Sequence, residues 1–326
     1  MLRVLTGVKP TGAMPHLGNL VGAMLPLKNF GQQPDTDVIA FVPDLHALTS
    51  VLDAKKLEEN LRNCVAGTLA VFGLDTKFTF YRQSDVVQLP KLNWILNNVT
   101  PYSLMLRAHS FKDAEAKNVD LNMGVFNYPI LMAADIIGYD ADVVPVGRDQ
   151  VQHLEMTRDI ARAFNKMAGK PVFKEPRAHV EENVAVLPGL DGRKMSKSYD
   201  NYIGIFEDAA TLKKKTMSIK TDSKGVDESK DPETCNVFAL YRVFATAAET
   251  AALRAKYVAS GAGFGYGHAK QALLDVLERT VAPYRQKREF VLNNWGIAEA
   301  KLNAGAVRAN ALMNAKMVQV KAAVGV

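Results

Sequence analysis

The first eighty residues alternate short apolar runs with stretches of helical periodicity, and this alternation limits the available folds more than any other feature of the chain. Residues 2–7, 38–42 and 78–81 have the length of buried strands, while residues 53–72 carry Leu57, Leu61, Val65 and Leu69 at a spacing of four, as a helix does. Strands alternating with helices require a parallel sheet covered on both faces. Between the first strand and the first helix lie Gly7, Gly12, Gly18 and Gly22 with Pro10 and Pro15, a turn-rich entry. Residues 129–139 read as a helix apolar nearly all round, residues 143–146 as another buried strand and residues 150–165 as its following helix. The fold class predicted is α/β, a Rossmann-like doubly wound parallel sheet over residues 1–200.

Beyond residue 201 the texture changes. Residues 211–218, 236–247, 249–260, 267–281 and 283–326 read as helices, separated by a polar connector at 221–232 and a glycine-rich link at 261–267. These predict a C-terminal α-helical domain, residues 201–326, whose last helix could pack back on the first domain. The charge divides at the same place: residues 1–200 carry 22 Lys+Arg against 22 Asp+Glu, and residues 201–326 carry 18 against 12, so the net +6 belongs to the second part. A basic excess confined to one region fits a polyanion surface, and fits equally a merely basic helical domain.

Composition excludes several classes. With 48% hydrophobic and 23% charged residues the chain is of globular type, and its longest uncharged apolar stretch, residues 64–74, falls short of the ~18 residues of a membrane span. No basic segment followed by an apolar run opens the sequence, so a cytoplasmic location without membrane attachment is expected. Cys64 and Cys235 stand far apart with no Cys-x-x-Cys spacing, which argues against a disulfide framework or a metal cluster and for two ordinary cysteines.

The string most specific for chemistry is Lys194-Met-Ser-Lys-Ser198, preceded by Gly192-Arg193. Two ammonium groups and two hydroxyls on a loop can hold a polyphosphate and stabilise a departing pyrophosphate, although a charge cluster of this kind is also commonly a solvated loop. Its counterpart is Pro10-Thr-Gly12 with Pro15-His-Leu-Gly-Asn19, where the first strand turns into the first helix. Glycine there admits the backbone close to a nucleotide, and a helix N-terminus favours phosphate. His16 and Asn19 add side-chain donors. By itself the second string would pass for a structural turn.

Together the two strings resemble the His-x-Gly-His and Lys-Met-Ser-Lys-Ser signatures of class I aminoacyl-tRNA synthetases. The strings beginning at Tyr128 (Tyr-Pro-Ile-Leu-Met-Ala-Ala-Asp) and at Val144 (Val-Pro-Val-Gly-Arg-Asp-Gln) are similar to the tryptophanyl branch, not to the Gly-Gly-Ser-Asp-Gln string of the tyrosyl branch. Asp44-Leu-His-Ala-Leu-Thr49, Thr221-Asp-Ser223 and Gly265-Tyr-Gly267 extend the similarity over most of the chain.

The resemblance implies activation of L-tryptophan by ATP, with Mg2+ carried by the nucleotide and no dedicated protein metal site, then transfer to tRNA(Trp) by a homodimer. Residues 74–121 are expected to form part of its interface. It assigns catalysis to His16, Asn19, Lys194 and Lys197, and ATP binding to these with Lys9, Pro10, Thr11, Gly18, Gly147, Arg148, Asp149, Val186, Met195, Ser196 and Ser198. Tryptophan is expected against Asp135, Met132, Gln150, His46 and Gly7.

The residues themselves leave alternatives. Asp135 lies in an apolar helix, where an unpaired carboxylate is costly, so it needs a donor, which could be a protein amide or a ligand N–H. Met132, three residues earlier, could pack on an aromatic ligand or simply in the core. Gly147, Asp149 and Gln150 follow a strand and open a helix, where open α/β sheets bind ligands. Three departures from the family pattern stand out: three residues, not two, separate Gly12 from His16; Lys9 replaces Gln or Arg; and Leu5 replaces Phe. The rival readings are a tyrosyl-type ligase, a nucleotidyltransferase without a tRNA substrate, which would not need the basic region, and an inactive RNA-binding paralogue, which would not need Lys194, Lys197, His16 and Asp135.

Overall fold

The computed structural model describes residues 1–10, 12, 14–74, 77–108, 111–112, 122–180, 187–259 and 263–326, and for Asp149 the backbone alone. Five strands form one wholly parallel sheet: β1 (Leu2–Gly7), β2 (Thr36–Val42), β3 (Thr79–Arg82), β4 (Val143–Pro145) and β5 (Arg177–His179). Their order is β3-β2-β1-β4-β5. The chain leaves β1 in one direction and returns at β4 on its other side, so the order reverses between these two strands. In such sheets ligands bind at that point, beyond the carboxyl ends of the strands.

Alternation along the strands divides the interior into two cores. Val4, Val38, Ala40, Val42 and Phe80 face one way, and Leu5, Ile39, Phe41 and Tyr81 the other. The first face is covered by helix α1, which spans residues 17–32, and by α3 (Ala54–Phe72). The second lies under α4 (Leu89–Asn97), α6 (Met123–Ile137) and α7 (Val151–Ala168). Short helices α2 (Asp44–Ala47) and α5 (Tyr102–Leu106) belong to the same part.

The remaining helices are α8 (Ala209–Ser218), α9 (Asn236–Phe244), α10 (Ala247–Val258), α11 (Tyr266–Asn293) and α12 (Trp295–Val324). Leu212, Phe238, Leu273, Leu277 and Leu302 join the first core, which is therefore continuous across residue 200. Helix α12 lies against edge strand β3. A Cβ on Gly305 would stand 1.9 Å from the Phe80 carbonyl oxygen, so only glycine permits that approach. Arg308 reaches Thr79 (2.7 Å) and Asp37 (2.8 Å), and Glu299 takes a two-pronged bond from Arg82 (3.1 and 3.0 Å). The edge is thereby closed to other strands. No described helix is long and apolar enough to cross a membrane.

Several boundaries differ from the sequence expectation. Helix α6 begins six residues before Pro129, because Asn122 caps it by accepting the Val125 N–H at 3.0 Å. Helix α11 runs through Pro283, which is exposed, so the missing N–H leaves a carbonyl in water; the break falls instead at Asn294 (φ −123°, ψ 53°). Strand β5 was not expected: it is three residues long and largely polar. Inside α1, residues Leu20–Met24 adopt the wider π spacing.

Candidate active site

The turn after β1 is built around His16. Its Nδ1 accepts the Asn19 N–H (3.3 Å) while Asn19 Oδ1 accepts the His16 N–H (3.0 Å), a reciprocal cap on the first turn of α1. With Nδ1 occupied as acceptor, the ring proton sits on Nε2. Burial, and secondarily the charge of Lys197, pulls the imidazole pKa down to about 4, so His16 is a neutral donor at pH 7. The turn is fastened to the chain beyond the lysine loop by Leu17 N–H to Ile203 O (2.9 Å) and Ile205 N–H to Pro15 O (3.1 Å).

Asn201 shapes the lysine loop itself. Its Oδ1 accepts the Ser196 N–H (2.8 Å), and its amide donates to Asp191 Oδ1 (2.7 Å) and to Lys194 O (3.1 Å). Any Cβ on Gly189 would lie 2.3 Å from the Asn201 amide nitrogen. Met195 is buried and anchors the loop, Ser196 Oγ accepts the Ser198 N–H (3.2 Å), and Arg193 stacks on Tyr199. Burial lowers the pKa of Lys197.

These two segments line one cleft of about 1200 Å³. Gly7, Lys9, His16, Gly18, Asn19, Gly147, Arg148 and all five residues 194–198 border it, together with Phe30, Thr68 and His179. No Asp or Glu occurs among its described lining side chains, so Lys9, Arg148, Lys194 and Lys197 make it a cationic trough suited to a polyphosphate. Pro10 is buried and is not among the lining residues. Thr11, Val186 and the Asp149 side chain lie outside the described residues.

Asp135 lies apart from that lining, 1% exposed on α6. One oxygen, Oδ2, receives the Gln83 amide (2.6 Å) and faces His46 Nε2 (3.2 Å). The other, Oδ1, is buried with no partner among the described residues. Burial raises the Asp135 pKa, and the bonds from His46 and Gln83 oppose it. Tyr128 stands edge-on to His46 and bonds His153 Nε2 (3.1 Å). Met132 is half-buried, packed against the second core on the same helix, and Gln150 is half-buried just before α7.

Two residues that matter here were given no role from the sequence. Gln83 sits just past β3 with no exposed surface, and Asn201 follows the lysine string. The position of Gln83 at a strand's carboxyl end was the only available signal.

The family described as tRNA synthetases class I (W and Y) matches residues 1–282. A tryptophan--tRNA ligase of Bordetella parapertussis is 46% identical over 99% of this chain and 73% of its own length. That of Fusobacterium nucleatum is 43% identical over 100% and 98%. A crystal structure of Campylobacter jejuni tryptophanyl-tRNA synthetase complexed with ADP and tryptophan superposes with a TM-score of 0.93 at 39% identity, covering 100% of both chains.

Proposed function

The chain belongs to the class I tRNA synthetases of the tryptophan and tyrosine type, and we propose that it activates L-tryptophan with ATP and esterifies it to tRNA(Trp). The observation that carries the choice of amino acid is Asp135 Oδ1, a buried acceptor that the described protein atoms leave open. An indole N–H satisfies it, and a ring without a donor there would strand it at a cost of about 1–3 kcal/mol or more.

In this reading the tryptophan carboxylate attacks the α-phosphorus of ATP in line, forming the acyl–phosphate bond as the bond to pyrophosphate breaks. A ribose hydroxyl at the tRNA 3′ end then takes the acyl group and AMP leaves. No side chain acts as a nucleophile; the protein positions the reactants and stabilises charge. Lys194 and Lys197 balance the charge of the leaving pyrophosphate, while neutral His16 donates through Nε2 to a phosphate oxygen and Asn19, Gly18 and Gly147 border the nucleotide. Mg2+ would enter with ATP and would help Lys194 and Lys197 balance the phosphate charge.

The basic excess after residue 200 supports tRNA binding by the helical part. Exposed Val87, Trp94 and Tyr102, within residues 74–121, support a homodimer formed through that region, and a ligase of this kind would work in the cytoplasm. ATP–pyrophosphate exchange with each of the twenty amino acids tests the proposal: tryptophan alone should drive it, and exchange driven by tyrosine instead would refute the assignment.

A further inference from the structure

Gln83 is wholly buried and both ends of its amide are committed. Its Oε1 accepts the backbone N–H of His46 (3.3 Å) and its NH2 donates to Asp135 Oδ2 (2.6 Å). The backbone donor fixes which way the amide faces, because reversing it would set NH2 against N–H and C=O against a carboxylate. We propose that Gln83 is a positioning residue of the tryptophan pocket: by filling Oδ2 it leaves Oδ1 of an ionised Asp135 as the acceptor for the indole N–H. This rests on the tryptophan reading above.

A protonated Asp135 could also receive Gln83 on Oδ2, but its Oδ1 would then carry a hydrogen directed into the pocket and would be a far weaker acceptor for the indole proton. Burial favours that protonated state, and donors on Oδ2 oppose it. Among the described residues, the ionisable groups acting on Asp135 are His46 and Asp44 on α2, Tyr81 on β3 and Tyr139 after α6. Burial raises the pKa of both phenols, so neither ionises in the working range. Asp44 is already held by the Leu45 and Ser84 N–H groups (3.0 and 2.9 Å). His46 is present in wild type and variants alike, so the differences between their profiles report Asp135 together with the residue at position 83.

Two substitutions in the full-length enzyme should tilt the pH profile in opposite senses. Gln83→Met removes the donor, so kcat/KM for tryptophan in pyrophosphate exchange should drop about 10- to 100-fold at pH 7 and recover as pH rises, with KM for ATP unchanged. Gln83→Glu keeps the acceptor for His46 and, when protonated, restores a donor to Oδ2. Its kcat/KM should hold at low pH and fall as pH rises and the two carboxylates repel. Should the Met variant not fold, the Glu variant decides alone. Wild-type pH profiles in both variants, or in the Glu variant alone, would overturn the role of Gln83 while leaving the tryptophan reading intact. A wild type that supports no tryptophan-dependent exchange would overturn the tryptophan reading, and this proposal with it.

Discussion

A Cβ on Gly18 would stand 2.9 Å from Cε1 and 3.0 Å from Nδ1 of the His16 imidazole, so the ring can lie over the first turn of α1 only because residue 18 has no side chain. The same ring caps the helix and borders the phosphate-sized cleft. Gly18→Ala should therefore displace the imidazole and lower both exchange activity and stability, the latter by about 1 kcal/mol, the usual worth of an N-cap. Urea unfolding and pyrophosphate exchange measure the two effects; an alanine variant with unchanged exchange would separate the ring's placement from catalysis.

Lys197 offers a sharper kinetic test. If its ammonium meets the pyrophosphate more closely in the transition state than in bound ATP, Lys197→Ala should slow adenylate formation by roughly 3–4 kcal/mol in barrier, as loss of one oxyanion donor does, with a smaller effect on ATP affinity. Single-turnover adenylate formation gives the rate constant. An unchanged value would remove the lysine loop from the chemical step.

His16 also makes stability depend on pH with a definite sign. Its folded pKa is depressed to about 4 from an ordinary 6.5, so above pH 6.5 it is neutral in both folded and unfolded chains and contributes no dependence. Between 6.5 and 4 the unfolded chain takes up a proton that the folded chain refuses, and stability falls as pH drops through that window. His16→Gln should flatten the fall relative to wild type in urea unfolding at pH 7, 6, 5 and 4.5. Parallel curves for the two proteins would count against a buried, neutral imidazole.

The lysine run in α8 divides into different jobs. Lys213 and Lys214 are exposed, whereas Lys215 bonds Tyr202 O (3.0 Å) and Glu207 (2.5 Å) beside the segment that follows the lysine loop. Lys213→Glu with Lys214→Glu should weaken tRNA binding and reduce its salt dependence while leaving exchange intact, and Lys215→Ala should instead lower exchange. Filter binding across salt concentrations, alongside exchange, distinguishes the two. A double reversal that leaves the salt slope of tRNA binding unchanged would show this helix face to be merely solvated.

What the sequence could convey follows from where the information lies. Strands β1, β2 and β4 were legible as apolar runs because both faces of the sheet are covered, so their residues need no polar alternation. Strand β5, three residues with two basic ones, carries no such run, and only its pairing to β4 makes it a strand. The glycine turn and the lysine string stood out as short motifs, but that both border one cleft depends on the pairing of the 15–17 backbone with 203–205. Asp135 was conspicuous as a charge in an apolar helix. Gln83 and Asn201 were not, since an uncharged amide in a polar stretch gives no sign until the fold surrounds it.

Asp135 and its open oxygen decide which amino acid fits, and the most direct measurement is kcat/KM for tryptophan and tyrosine on the wild type and on Asp135→Asn. A site built to accept a substrate N–H rejects a competitor without it by about 10⁴–10⁵, so the wild type should prefer tryptophan by that order. The asparagine keeps shape and an acceptor but not the charge, and should cost roughly 2–3 kcal/mol in kcat/KM for tryptophan with little change in KM for ATP. Equal activation of tyrosine by the wild type, or full tryptophan activity in Asp135→Asn, would contradict the assignment.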